Sequence, residues 1–288
     1  MSSTAAEDGE LLDNPELVQP ENWRRINTWS GRTPVFLIHD GGGTTFAYHC
    51  LEPMSRFTYG IRNPHFFTQK KFEGGICEMA KLYTGWIKQT VAKETFTAKK
   101  QGKLPVDILL GGWSLGGLLS LQIARELAED KDVRVRGFLM IDSVCPNEAR
   151  KTAIHAAMGS ESEEGKSKNQ ILSSRSLTEA RRMVGEWTLP QWDGELKGKR
   201  PKAILLKCRE TVPLSDGGRS VLDLDRAHTQ LGWEWYDKDM FTEVIPVDGH
   251  HFNLFEQTYI PGITRTIRTA LIKLDTAPKE EEDEEMFE

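Results

Sequence analysis

Nowhere in this chain do roughly 18 uncharged apolar residues follow one another, so no membrane span is encoded. The opening residues, MSSTAAEDGELLDNPELVQPENWRR, hold no apolar stretch of signal-peptide length and carry acids before bases. Cysteine is scarce. Cys50, Cys77, Cys145 and Cys208 are widely scattered and form no CxxC pair, which favours reduced thiols in a cytoplasmic protein over a disulfide framework or a zinc site. Net charge is scarce too, once one segment is set aside. The formal charge of −6 equals that of APKEEEDEEMFE alone, residues Ala277 to Glu288, so the rest of the chain is neutral. A neutral body gives no argument for nucleic-acid binding, and a run of like charges is expected to stay solvated as an acidic, disordered tail over 275–288. No internal repeat is present, and the run Gly41-Gly42-Gly43 is not followed by the Gly-Lys-Ser/Thr that a phosphate-cradling loop requires.

What remains, in 288 residues, is enough for one large domain with a substantial core. Residues 1–32 are polar and read as a leader or linker, with Trp23 and Trp29 available to lie against the domain. A domain over 33–274 follows. Apolar runs at Pro34–His39, Val106–Leu110, Arg136–Ile141, Lys202–Lys207 and Phe241–Val247 predict strands buried on both faces. Helical spacing over 74–91 and from Gly117 to Glu129 alternates with them, and DLDRAHTQLGW also has the pattern of a helix. Strands alternating with helices predict an α/β fold with a mostly parallel sheet flanked by helices. Residues 147–200 are polar and helix-forming, interrupted by a Gly/Ser/Lys stretch at 159–168. They read as an insertion between strands.

The informative stretch is DILLGGWSLGGLLSLQIARELAED. An apolar strand runs into Gly112-Trp113-Ser114-Leu115-Gly116, and an amphipathic helix starts without a loop. A serine there stands at the carboxyl end of a strand, where α/β sheets bind ligands. Its backbone must be strained, and only small residues two before and two after let strand and helix approach. The helix amino end offers the N–H of Leu115 to an oxyanion. Ser114 is therefore the candidate nucleophile, and it needs a base and an acid.

Four histidines follow it. His155 lies in the polar insertion and His228 in the apparent helix, whereas His250 and His251 follow the last strand in IPVDGHHFNLF. His251 is the candidate base, with Phe252 anchoring its loop, and His250 is the alternative. For the acid, Asp142 ends the strand after the nucleophile's helix; Glu210 or Asp216, after the next strand, are the alternatives. In LIHDGGGTTFAY, the N–H of Asp40 or Gly41 can complete an oxyanion hole with Leu115.

Together PVFLIHDGGGTTFAY, GGWSLGG, GFLMIDS and GHHFNLF resemble the thioesterase domains of polyketide and nonribosomal peptide synthases, notably the fungal polyketide type, within the α/β-hydrolase superfamily. The resemblance runs from about Thr33 to about Tyr259. It implies the acid at Asp142 and the base at His251. It also implies an acyl thioester substrate presented on the phosphopantetheine arm of an acyl carrier protein or polyketide synthase, no further cofactor or metal, and a lid formed by 147–200. Apolar lid residues (Ile154, Met158, Ile171, Leu172, Leu177, Met183, Val184, Trp187 and Leu189) can line an acyl channel or pack the lid to the body. The chain starts with Met and carries no carrier-protein segment, so the expectation is a free-standing hydrolase or a domain cut from a megasynthase. An oxygen-ester hydrolase of carboxylesterase or lipase type, or a non-catalytic binding protein on this fold, are the rival functions.

Overall fold

A computed structural model describes residues 13–19, 32–96, 104–156, 164–215 and 217–276. Seven strands form one sheet: β1 Glu16–Gln19, β2 Val35–Ile38, β3 Thr58–Ile61, β4 Val106–Trp113, β5 Val133–Ile141, β6 Lys202–Cys208 and β7 Glu243–Val247. Their spatial order is β1-β3-β2-β4-β5-β6-β7, and every pair is parallel except β1 with β3. The helices are α1 Phe46–His49, α2 Gly75–Ala92, α3 Leu115–Glu126, α4 Glu148–Ala156, α5 Lys168–Glu186 and α6 Ile260–Asp275.

The apolar runs are continuous because the sheet is covered on both sides. Phe36, Ile38, Ile108, Leu110, Phe138, Met140 and Leu205 join one core with residues of α2 and α3. The alternating set, Val35, Leu37, Leu109, Leu139, Ile141, Ile204 and Leu206, joins a second core with Ile263, Ile267 and Leu271 of α6. Side chains of successive strand residues point to opposite faces, so a strand between two helical layers must be apolar at every position. The chain passes from β2 to its neighbour β3 and then crosses back over β2 to β4, so the strand order reverses at β2, and α/β sheets bind ligands outside the carboxyl ends of the strands at such a point.

The leader expected over 1–32 needs correction. Glu16–Gln19 is an edge strand, held by hydrogen bonds from Asn14 Nδ2 to the Arg62 carbonyl (2.9 Å) and from Gln19 Nε2 to the Leu51 carbonyl (3.2 Å). A four-residue edge strand with one buried position leaves almost no apolar pattern to read. Trp23, Trp29 and the acidic tail lie outside the described residues apart from the end of α6, which reaches Asp275. The helix expected in DLDRAHTQLGW is also corrected. Residues 223–233 form successive i to i+3 turns, Arg226 N–H to Asp223 O, His228 N–H to Asp225 O and Leu231 N–H to His228 O, ending where Leu231 and Gly232 adopt φ of 53° and 87°. Between β5 and β6, where an insertion was expected, lie α4 and α5. A capping box opens α5, with Ser167 and Gln170 satisfying each other's backbone N–H groups.

Candidate active site

The turn from β4 to α3 holds Ser114 at φ 56°, ψ −117°, a region that non-glycine residues avoid. Backbone bonds enforce it: Ser114 N–H donates to Ile141 O at 2.9 Å, and the Ser143 hydroxyl donates to Ser114 O at 2.7 Å. The flanking glycines are required by contact distance. A Cβ on Gly116 would lie 2.2 Å from the Ile38 carbonyl oxygen, and one on Gly112 would lie 2.5 Å from the Gly116 carbonyl carbon. Strand and helix meet backbone to backbone, with the serine carried at the apex.

Asp142 follows the last residue of β5, at φ 46° and fully buried. His251 arrives in the loop after β7 and is 2% exposed. Its Nε2 lies 3.0 Å from Ser114 Oγ, and its Nδ1 lies 2.9 Å from Asp142 Oδ2. A carboxylate can only accept, so Nδ1 carries the proton and Nε2 is free to accept from the hydroxyl. Burial alone would raise the Asp142 pKa. Hydrogen bonds and charge from His251 and Arg226 outweigh it and hold the carboxyl well below its usual range.

The loop Asp40–Gly43 lies beside this line. Buried His39 donates from Nδ1 to the Asp40 carbonyl at 2.5 Å, and Gly43 N–H reaches the same oxygen at 3.1 Å. The Tyr83 hydroxyl, 2.7 Å from His39 Nε2, must then be the donor to that nitrogen. In a trans peptide the C=O and the next N–H point in opposite directions. Anchoring the Asp40 carbonyl on the His39 side therefore turns the Gly41 N–H the other way. The Asp40 N–H and the Gly42 N–H face the Asp40 carboxylate. Burial raises that carboxyl's pKa, opposed by the Gly42 N–H and by the charge of nearby His251. Leu115, first residue of α3, has no helical acceptor for its N–H.

A strained serine at a strand-to-helix turn, hydrogen-bonded through a histidine to a buried carboxylate, narrows the families to consider. The thioesterase-domain family model matches residues 33–271, most of the chain. This chain belongs to the thioesterase family. Among similar proteins, the "Probable thioesterase gloN" of Glarea lozoyensis is 33% identical, covering 91% of this chain and 98% of its own. Among solved structures, the NocB thioesterase domain from the nocardicin cluster superposes with a TM-score of 0.58 at 24% identity, covering 83% of this chain and 93% of that one. YbtT, a type II thioesterase from the yersiniabactin NRPS/PKS biosynthetic pathway, superposes at 0.55 with 17% identity, covering 88% and 98%. At these identities the structural likeness is one of fold, an α/β-hydrolase-like sheet flanked by helices.

The thioesterase leaves the other sequence candidates elsewhere. Glu210 is exposed, and its N–H donates to the Gly249 carbonyl, so it braces the histidine loop through its backbone. Asp216 lies outside the described residues. The His250 ring accepts from the Phe252 N–H at 3.2 Å, while exposed His228 lies tilted against the Trp235 ring and exposed His155 lies against Gly185 of α5. Phe252 does not anchor the loop. It is 49% exposed, because the chain turns sharply behind His251 and seats Leu254 and Phe255 inward instead. The Phe255 ring packs 5.1 Å from Trp113.

Of the apolar residues between β5 and β6, Met183 and Trp187 are buried in the body's core, with Val184 and Leu189 packed against it. Leu177 reaches the Asp40–Gly43 loop, where its Cδ1 stands 2.7 Å from the place a Cβ on Gly41 would take, with the Ala180 methyl at 3.5 Å. Met158 lies outside the described residues. Sequence reasoning overlooked His39, Tyr83 and above all Arg226, which contacts Asp142. No short motif marks an arginine that reaches a carboxylate 84 residues away. Among the described residues no group of three or more His, Cys, Asp or Glu could hold a metal, and no helix is long and apolar enough to cross a membrane.

Proposed function

We propose that this thioesterase releases an acyl chain from a carrier-bound thioester of polyketide type through an ester on Ser114. The observation that carries the reading is the unbroken line from Asp142 through His251 to Ser114, at 2.9 and 3.0 Å. His251 takes the hydroxyl proton as Ser114 Oγ attacks the thioester carbonyl, and returns it to the departing thiol of the phosphopantetheine arm. Asp142 holds the ring in the required tautomer and faces the imidazolium that forms.

Between attack and departure of the thiol, negative charge collects on the carbonyl oxygen. The N–H groups of Leu115 and Gly41 are its donors. Gly41 is preferred to Asp40, whose own N–H is turned toward its carboxylate. Each preorganised donor is worth roughly 3–4 kcal/mol of transition-state stabilisation. Water or a nucleophile within the acyl chain resolves the ester, with His251 as base again. Family membership supports a thioester substrate, and the NRPS/PKS context of YbtT supports a carrier protein or synthase as the partner. Leu177, above Gly41, is placed to wall the acyl side of the site.

Intact-protein mass spectrometry tests the mechanism. After exposure to an acyl-pantetheine thioester, wild type is expected to gain the mass of the acyl group and Ser114→Ala to gain none. An adduct on both proteins would refute the Ser114 ester. Faster turnover of the matching simple oxygen ester than of the thioester would refute the substrate class.

A further inference from the structure

Asp142 is gripped on the side away from His251. Arg226 donates from its two terminal nitrogens to Asp142 Oδ1 and Oδ2 at 2.5 and 2.9 Å, and the Cys208 N–H donates to Oδ1 at 2.9 Å. Arg226 is 8% exposed, and its Nε donates to Asp223 Oδ1 at 2.9 Å. Asp223, fully buried, is fixed in turn by the Val212 N–H on its other oxygen at 2.8 Å. A continuous chain therefore runs Asp223–Arg226–Asp142–His251–Ser114, buried up to the half-buried serine.

We propose that Arg226, itself oriented by Asp223, is a positioning residue that sets both the plane of the Asp142 carboxylate and the pH above which His251 serves as base. The inference rests on the Ser114 reading. Geometry supplies the first half. A two-pronged guanidinium contact fixes a carboxylate in its plane, which a point charge cannot do. With the Cys208 N–H on the other oxygen, Oδ2 has one direction left, and Nδ1 of His251 occupies it. Charge supplies the second half. A bare buried carboxylate would strongly favour the imidazolium; a guanidinium bound to the same carboxylate cancels much of that attraction, and Asp223 restores part of it.

Other charges near this chain are committed or act from further out. Arg150 is paired with Asp225 at 2.6 Å, the Lys207 ammonium donates to the His228 carbonyl, and both act on Arg226. The Cys208 thiol, pushed upward by burial and by Asp142, stays protonated. Buried Asp40 is a further carboxyl whose charge couples to that of His251.

The test is the second-order rate of fluorophosphonate labelling of Ser114 from pH 5 to 9 in the full chain. Folding of each variant is checked by circular dichroism and a thermal melt. In wild type the rate should rise with pH along an acid limb. Arg226→Met should move that limb up by about one pH unit, since the imidazolium keeps the carboxylate's full attraction. Asp223→Asn should move it the opposite way, because removing an anion exposes His251 to more of the guanidinium's charge. Arg226→Lys should keep the limb in place while lowering the plateau, since charge survives and the fork does not.

A buried pair with a purely structural role would lower stability and leave the limb unmoved. A folded Arg226→Met with an unshifted limb would overturn the proposal, as would Asp223→Asn moving in the same direction as Arg226→Met. Should Arg226→Met fail to fold, the sign of the Asp223→Asn shift decides alone. A wild type that resists labelling, like Ser114→Ala, would overturn the serine reading itself, and with it this inference.

Discussion

His39 couples the folding of the chain to the Asp40–Gly43 loop, and the coupling can be read by titration. The ring is 1% exposed, and burial, opposed by its bond to the Asp40 carbonyl, holds its pKa down to about 4 against 6.5 for a free histidine. The folded protein therefore resists a proton that the unfolded chain accepts. Stability is present in full above pH 6.5, declines as pH falls, and is lost by about pH 4. At 1.36 kcal/mol per pH unit over that window, His39 alone should remove roughly 3 kcal/mol. The perturbation is His39→Asn, because an asparagine Nδ2 can replace the Nδ1 donor to the Asp40 carbonyl but cannot titrate. Urea unfolding followed by tryptophan fluorescence at steps from pH 7.5 to 4 isolates the term, since every other titrating group cancels in the difference between the two proteins. At pH 7.5 the variant should be the less stable of the two, having lost ring packing and the Tyr83 hydrogen bond. The gap should close by roughly 3 kcal/mol on reaching pH 4. A stability difference that is flat across that range would show that His39 takes its proton in the folded state, and the account of how the loop is held would fail.

Two further perturbations follow from distances. Gly116→Ala places a methyl against two backbone oxygens, at 2.2 and 2.8 Å. It should cost on the order of 3 kcal/mol or prevent folding. Gly41→Ala meets the flexible tip of Leu177 closely and the Ala180 methyl at an ordinary 3.5 Å, and should leave the melting temperature within a few degrees; thermal melts of both variants would refute this if the order were reversed. His251→Ala should lower turnover by about 10³-fold or more, whereas His250→Ala, whose ring bonds only within its own turn, should keep most of it. The opposite pattern in steady-state rates would reassign the base.

How much of this could be read beforehand follows from what each feature depends on. The turn at Ser114 was legible because its requirements are local. A backbone-to-backbone contact permits only glycine at 112 and 116, and those glycines sit within a few letters of the serine. Strands β2, β4, β5 and β6 were legible because both faces are covered, which forces unbroken apolar runs, and β7, at the far edge, because Val244, Ile245 and Val247 still stand close together. By contrast β1 and β3 sit at or beside an edge, where one buried position in ELVQ, or a glycine in TYGI, is enough. The turns at 223–233 carry helical spacing because Asp223 and Arg226 must share a side, and a pair three residues apart does so in an α-helix and in a run of i to i+3 turns alike. What distinguishes them is Leu231 and Gly232 at positive φ, and a leucine gives no warning of that.

The residues that escaped notice share one property: each acts on the site through another residue. His39 acts on the Gly41 N–H through the Asp40 peptide, and Arg226 acts on His251 through Asp142. A group that must meet the reacting atoms is confined to a strand end or a helix start, so its place in the chain betrays it. A supporting group needs only to reach its client from any neighbouring element, and 84 residues separate Arg226 from Asp142. Substitutions at Ser114, Asp142 or His251 should therefore remove activity outright, whereas substitutions at His39, Tyr83 and Arg226 should shift pH dependence and stability.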